Sequence, residues 1–244
     1  MAGGKPSCFA LVVLAASCLL GQSAEETLQR VDRYRYPWSS FSVDVTLQDG
    51  KVQQQWRVLV RENGDARVEG LSEKERGRTV LLLKEQMWLL LPKAKRPVKV
   101  SPQQRLLGPA AGGDVARFRF SGDYTVTSEH EELVEGMPTR RLELQAKRKS
   151  LSYQKAVLWL NREGQPLKSE FFYASGKLAR TARFGAIVAE QGAQVLSSLE
   201  LEEPSSKKVR LGFSHWKPAQ AEDKLFELPK EPHSTGRNAP VRVD

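Results

Sequence analysis

The segment Val80–Arg105, VLLLKEQMWLLLPKAKRPVKVSPQQR, constrains the fold more than any other. Val80–Leu83 and Met87–Leu91 are apolar at every position. Each reads as a strand with dry material on both faces of its pleat. Lys84-Glu85-Gln86 between them is short enough for a tight hairpin, although it lacks the usual Gly or Asn. Pro92 ends the second strand, because proline has no N–H to donate into a ladder. One reading sets this pair between a helix and the rest of the core. The other sets one face on protein and the other on an apolar cavity, and the segment alone leaves both open.

The N-terminus reads as a targeting segment. Lys5 is the only charge before Glu25, and Phe9–Leu20 forms an apolar run. That run is too short for a spanning helix, which needs about 20 residues. Small residues, Gly21-Gln22-Ser23-Ala24, precede the first acids. Residues 1–24 are therefore expected to be a secretory signal peptide cleaved near Ala24. Ala15-Ala16-Ser17-Cys18 resembles a lipoprotein cleavage box but has Ala15 where the usual Leu would stand. Both cysteines, Cys8 and Cys18, lie in this segment. The mature chain would then hold no disulfide and no thiolate site, and would depend on one sizeable core.

From Ala24 to Tyr36, Leu28 and Val31 recur at helical spacing, with acids first and Arg later, which suits the helix dipole. One amphipathic helix ended by Pro37 is expected. At Ser39 the period changes to two: Phe41, Val43, Val45 and Leu47 alternate with polar residues. Asp49-Gly50 is a hairpin signal, and Val52, Trp56, Val58 and Val60 face one side of the returning strand. Turn signals at Asn63-Gly64-Asp65, Gly136, Asn161–Gly164 and Ser175-Gly176 separate further strands. A short closing segment, Lys224–Pro229, precedes a polar tail, 230–244, expected to be disordered. Residues 25–229 read as one domain. About ten consecutive antiparallel strands exceed what a flat sheet tolerates, so the sheet should curl into a full or partial barrel. Such a barrel either fills its interior or keeps a ligand cavity, and five Trp and nine Phe can do either.

The one long irregular stretch is Ser101–Gly122. Asp114 can cap a short helical turn, with Gly112 and Gly113 as hinges, and Leu106, Leu107, Phe118 and Phe120 are apolar anchors. Long loops of this kind are often binding loops.

Signals for catalysis are weak. His130, His215 and His233 are the only histidines. His215 follows Val209, Leu211 and Phe213 and reads as a hydrogen-bonded core residue. Glu129-His130-Glu131-Glu132 alternates between strand faces and cannot converge on one metal, so it reads as a solvated edge. No nucleophile elbow, paired metal-binding histidines or phosphate-cradling loop is present in the sequence. The net charge of +9 sits in short basic runs such as Lys93–Arg96 and Lys147–Lys149. None forms a groove-reading helix, so nucleic acid is not the expected partner, and attraction to anionic lipid headgroups fits the charge better.

Arg78–Leu83, Met87-Trp88-Leu89-Leu90-Leu91-Pro92-Lys93 and Arg96–Pro102 together resemble the hallmark stretch of the outer-membrane lipoprotein-sorting (LolA-like) proteins. Gly113-Asp114-Val115-Ala116, Gly122-Asp123-Tyr124, Leu158-Trp159-Leu160 and Pro166–Arg183 are similar as well. The resemblance spans about Ala24 to Leu228. The Gly/Ala-rich run Pro109–Gly113 departs from the best-studied carriers and looks closer to a broader branch of the family.

The resemblance implies a mainly β fold: a single curved antiparallel sheet forming an incomplete barrel, closed by an N-terminal helix and a short helical lid. It also implies a monomeric, non-enzymatic periplasmic protein without a cofactor, whose interior takes lipoprotein acyl chains or another lipid. An inner-membrane transporter would supply the cargo and an outer-membrane acceptor would receive it. On this reading Trp56, Met87, Trp88, Leu90, Trp159, Phe171 and Tyr173 are the cavity candidates. Leu106, Leu107, Asp114, Phe118 and Phe120 form the candidate lid. A sensor of the same fold, signalling to a membrane partner on binding lipid or a mislocalised lipoprotein, is the alternative. A secreted hydrolase is disfavoured because no nucleophile–base pair is visible.

Overall fold

The computed structural model describes residues 23–100 and 119–229, apart from residues 85, 93, 95, 135 and 205–207. The expected signal peptide, the tail, and the lid candidates Leu106, Leu107, Asp114 and Phe118 lie outside the described residues.

Helix α1 (Ala24–Arg33) starts at a reciprocal capping box, in which Ser23 Oγ accepts the Glu26 N–H and the Glu26 carboxylate accepts the Ser23 N–H. Acids Glu25 and Glu26 open it and Arg30 and Arg33 close it, while Leu28 and Val31 are buried. It ends earlier than its periodicity suggests. The Asp32 carbonyl accepts both the Arg35 and Tyr36 N–H groups, at 2.9 and 2.8 Å, and turns the chain before Pro37.

The strands are β1 (Phe41–Asp49), β2 (Val52–Val60), β3 (Ala66–Gly70), β4 (Thr79–Leu83), β5 (Gln86–Leu90) and β6 (Val98–Val100). After the one-turn helix α2 (Phe120–Asp123) come β7 (Tyr124–Val134), β8 (Met137–Ala146), β9 (Lys155–Leu160), β10 (Pro166–Phe172) and β11 (Leu178–Phe184). Then follow β12 (Ile187–Glu190), β13 (Ala193–Leu196), β14 (Ser198–Glu202) and β15 (Val209–Pro218). Thirteen of them form one antiparallel sheet in the order β6-β5-β4-β3-β2-β1-β15-β14-β11-β10-β9-β8-β7. Strands β6 and β7 are its unjoined edges, so the sheet is an incomplete barrel. Two meanders, one from each half of the chain, are stitched by β14 and β15. No helix among the described residues is long and apolar enough to cross a membrane.

The β4–β5 turn shows how a hairpin forms without Gly or Asn. Lys84 itself takes the left-handed conformation (φ 54°), and Asp65 Oδ1 accepts its N–H at 2.7 Å. Val80, Leu82, Met87 and Leu89 face the core, so Leu81, Leu83, Trp88 and Leu90 face the other side of the sheet. The closing 3₁₀ turn Asp223–Phe226 packs against β3 on that outer side, and Leu83, Trp88 and Leu90 stay half-buried. Arg67 Nη1 donates to the Leu225 carbonyl, the Arg61 guanidinium lies 4.8 Å from the Phe226 ring centroid, and Leu81 is fully buried.

The sequence reading assigned neither strand β6 nor the hairpin β12–β13; the hairpin pairs apart from the large sheet. Gln191 and Gly192 both have positive φ, the requirement of a tight primed turn. The Leu196 N–H donates to the Tyr34 carbonyl at 2.8 Å, which ties this hairpin to the end of α1.

Candidate functional site

The concave side of the sheet divides into a half filled by the helices and a half that keeps a small apolar slot. Over β7–β11, helices α1 and α2 supply the filling. Phe120 stacks on Phe171 at 6.2 Å between ring centroids and approaches Tyr124 and Phe184. Leu28, Val31, Leu142, Leu158 and Leu160 close the same core. The helix is fastened by polar contacts: Asp32 Oδ1 accepts the Phe120 N–H, and Asp32 Oδ2 accepts the Ser121 N–H and Oγ–H, each at 2.8 Å. Burial pushes the Asp32 carboxyl above its ordinary range, against the opposing pull of Ser121, Phe120 and the Arg35 charge. Gly164 (φ 74°) lets the Arg30 guanidinium of α1 sit where a Cβ would otherwise be.

Over β1–β3 and β15 the same face bounds an apolar slot, open on one side, whose interior void is about 40 Å³. That void has room for no more than a few waters, so an acyl chain enters only if the wall side chains move apart. Its walls follow from the period of two. Phe41, Val43, Val45 and Leu47 come from β1, Trp56, Val58 and Val60 from β2, Val68 from β3, and Leu211, Phe213 and Trp216 from β15. Among the described residues the polar groups of the lining are Arg35 and Tyr36, just after α1, and the indole N–H groups of Trp56 and Trp216. Tyr36, Phe41, Trp216 and Phe213 make a chain of ring contacts along one side, with centroids 5.5–6.0 Å apart. The Tyr36 hydroxyl is pushed up to about 12 by burial, with the Arg35 and Arg119 charges opposing the shift, so it remains a neutral phenol at physiological pH.

A β-bulge positions the far wall. The β1–β15 register slips between Ser42 and Asp44, and His215 adopts φ 55°. The Trp216 N–H then donates to Glu190 Oε2 of the β12–β13 hairpin at 2.9 Å. The bulge also corrects the expectation for His215, whose side chain is 79% exposed rather than in the core. His215 Nδ1 lies 3.2 Å from Asp44 Oδ2, and Arg57 grips the same carboxylate through Nε and Nη2 at 2.8 and 3.0 Å. Burial raises the Asp44 carboxyl, but the Arg57 hydrogen bonds and charge, with His215, bring it below its ordinary range. Ser214 Oγ approaches the same Nδ1 at 3.5 Å. Because both neighbours meet one ring nitrogen, the imidazole cannot relay a proton from Ser214 to Asp44. No group of three or more His, Cys, Asp or Glu side chains among the described residues could hold a metal ion.

A family model described only as that of an uncharacterized protein matches residues 70–229. A LolA superfamily protein from Nitrosomonas europaea is 29% identical and superposes with a TM-score of 0.72, over 84% of this chain and 97% of that one. The chain belongs to the LolA-like family. Two further structures share the LolA-like fold. A DUF1329 family protein from Desulfovibrio piger has a TM-score of 0.69 at 15% identity, over 83% of this chain and 95% of that one. A domain described as an outer membrane lipoprotein-sorting protein domain, from Vibrio parahaemolyticus, has a TM-score of 0.65 at 19% identity, over 82% and 95%. No curated protein matches the sequence.

Of the residues expected to line a cavity in this LolA-like chain, Trp56 lines the slot. Trp56, Met87 and Phe171 all belong to the core on the concave side, but Met87 and Phe171 are outside the slot's lining. Trp88, Leu90 and Trp159 point the other way, because Met87, Leu89, Leu158 and Leu160 take the inward positions of their strands. Trp159 lies beneath the Lys168 and Arg141 cations on the outer face and its indole N–H donates to Glu132 Oε2. Tyr173 is 39% exposed beside Tyr153, at the rim of a separate groove with Lys149 and Leu151. Phe120 is fully buried under α1, which makes it a core anchor rather than a lid residue. The lining supplied by β1, β2 and β15 was readable as alternation, but alternation alone does not distinguish a filled face from one that keeps a slot.

Proposed function

We propose that this LolA-like protein is a periplasmic carrier that binds the acyl chains of lipoproteins, or another lipid, in the apolar slot of its concave face. It would take cargo from an inner-membrane transporter and deliver it to an outer-membrane acceptor. The apolar slot walled by β1, β2 and β15 carries this reading, because its described lining is aliphatic and aromatic apart from Arg35. The sequence adds an export signal at residues 1–24.

The energetics fit a carrier. Each CH₂ withdrawn from water contributes about 0.8 kcal/mol, so an exposed palmitoyl chain faces a penalty on the order of 12 kcal/mol in crossing an aqueous gap. A slot open at one side shields the chain without enclosing it irreversibly.

The test is mass spectrometry of organic extracts from protein purified out of the periplasm. Stoichiometric aliphatic lipid or acylated peptide is expected. Protein that is lipid-free as isolated and takes up no acylated ligand in vitro contradicts the proposal.

A further inference from the structure

One end of the incomplete barrel carries positive charge that the fold leaves unpaired. The strand registers bring the β1–β2, β8–β9, β10–β11 and β14–β15 turns to that end: Asp49 pairs with Val209, Thr181 with Glu202, Phe172 with both Leu178 and Lys155, and Gln145 with Lys155. Lys51, Lys149, Lys155 and Lys177 are exposed there, and none forms an ion pair among the described residues. Most acids around them are already engaged. Glu25 meets Lys147, Asp123 meets Arg148 at 2.6 Å, Glu203 meets Arg180 at 2.6 Å, and Glu200 and Glu202 meet Lys208 at 3.3 and 3.6 Å. Asp49, at the end of β1, is the exposed exception. The β3–β4 connection at the same end adds Lys74, Arg76 and Arg78 against Glu73 and Glu75. At the opposite end the β2–β3 and β9–β10 turns hold Arg61 and Arg162 against Glu62, Asp65 and Glu163. The basic character therefore belongs to one rim and is not spread evenly over the surface.

Apolar groups sit among these lysines. Val52 is 56% exposed and Tyr173 39% exposed, and both lie on this rim. Tyr173 shares a surface groove with Leu151 and Lys149. A tyrosine has an apolar body and a polar tip, which suits the layer between lipid tails and water. The slot also reaches toward this rim. Its lining pair Leu47–Leu211 lies two residues from the Asp49–Val209 pair, roughly 7 Å along the strands.

We propose that this rim docks the protein on an anionic phospholipid surface, with the Leu47–Leu211 end of the slot nearest the lipid. The proposal concerns where the protein sits and not what the slot holds, so it stands or falls apart from the acyl-binding reading. Charge complementarity selects the partner: exposed lysines without counter-ions are drawn to a layer of phosphate headgroups and gain by meeting it. A few such charges with two apolar side chains give an association that forms and releases, not a permanent anchor.

The experiment is co-sedimentation of the full mature chain with vesicles of phosphatidylglycerol and phosphatidylcholine in equal parts, and with vesicles of phosphatidylcholine alone. Binding to the anionic vesicles only is expected. It should disappear as salt is raised to about 0.5 M, where charges are screened within a few ångströms. Lys149→Gln/Lys177→Gln should weaken it about twentyfold, at roughly fivefold for each lysine near the surface. Arg162→Gln/Lys217→Gln removes the same charge from exposed positions at the opposite end and should change binding less than about twofold. No binding to anionic vesicles, or equal binding to both kinds, overturns the proposal. Equal weakening by the two double variants shows that net charge and not this rim is read, and overturns it too. Self-association that Lys149→Gln/Lys177→Gln abolishes, without vesicle binding, assigns the rim to a second copy of the chain and overturns it. Acyl uptake by the parent protein is measured separately, and none of these outcomes bears on it.

Discussion

The Asp32 carboxylate accepts the backbone N–H of Phe120 at 2.8 Å across a sequence separation of 88 residues. With the two Ser121 donors at the same distance, it fastens α2 to α1 and holds Phe120 in the filled half of the barrel. Asp32→Ala leaves buried donors without an acceptor, each costing about 1–3 kcal/mol. A total loss of roughly 3 kcal/mol is expected, with Asp32→Asn losing less because one oxygen remains. Urea denaturation of the three proteins checks the order. An Asp32→Ala variant as stable as the parent would remove this tether from the account.

Asp32 and Asp44 titrate on opposite sides of their ordinary value of 3.8, the first above it and the second below. Between 3.8 and the raised Asp32 value the folded state binds more protons than the unfolded one. The stability Asp32 contributes therefore grows as pH falls through its folded pKa and is complete below 3.8. Asp44 behaves in the reverse sense: its contribution, present above 3.8, is lost as pH falls through its lower folded pKa. Carboxyl carbon NMR titration should give midpoints in the order Asp44, then 3.8, then Asp32. The reversed order contradicts both environments.

Crowding the slot and crowding the helix-covered core should differ in what they do to binding. Val58→Phe adds a ring to a lining whose void is only about 40 Å³, so it should cost about 1–3 kcal/mol and lower acyl uptake. Leu158→Phe overpacks the half filled by α1 and α2 and should cost about as much while the folded protein keeps its uptake. Thermal unfolding alongside a lipid-uptake assay distinguishes the two. Uptake lost equally in both variants, or in neither, would contradict the assignment of the slot.

Gly164→Ala tests the seat of α1 on the sheet. At φ 74° an alanine pays about 1–2 kcal/mol for the left-handed conformation. Its Cβ must also displace the Arg30 guanidinium, which occupies that position. Gly176→Ala has the same handedness (φ 81°) but nothing within 4 Å. The difference in melting temperature between the two variants therefore reads the Arg30 contact alone.

Much of this was legible in the sequence. The run Phe41–Leu47, the Asp49-Gly50 turn and the doubly apolar Val80–Leu91 pair fix strands, because side chains alternate with a period of two and turns need particular backbone angles. The β12–β13 hairpin escaped notice because Gln191-Gly192 is a weaker turn signal than Asn-Gly, yet it reaches the same angles. The site was less legible. Trp88 and Trp159 looked like cavity residues, but composition does not give parity. Their strands are apolar on both faces, and on the outer side the closing turn packs against β3 and cations lie over Trp159. Arg35 and Tyr36 were read as the end of a helix. Their place at the slot follows from the turn made by the Asp32 carbonyl, a contact with no sequence signature.

The account rests on an aliphatic chain lying in the slot, and contact quenching tests it most directly. Variants that keep a single tryptophan, either Trp216 or Trp159, are titrated with a fatty acid brominated along its chain. The account predicts strong quenching of Trp216, which lines the slot, and none of Trp159 on the opposite face. Quenching of Trp159 with Trp216 unaffected would contradict it.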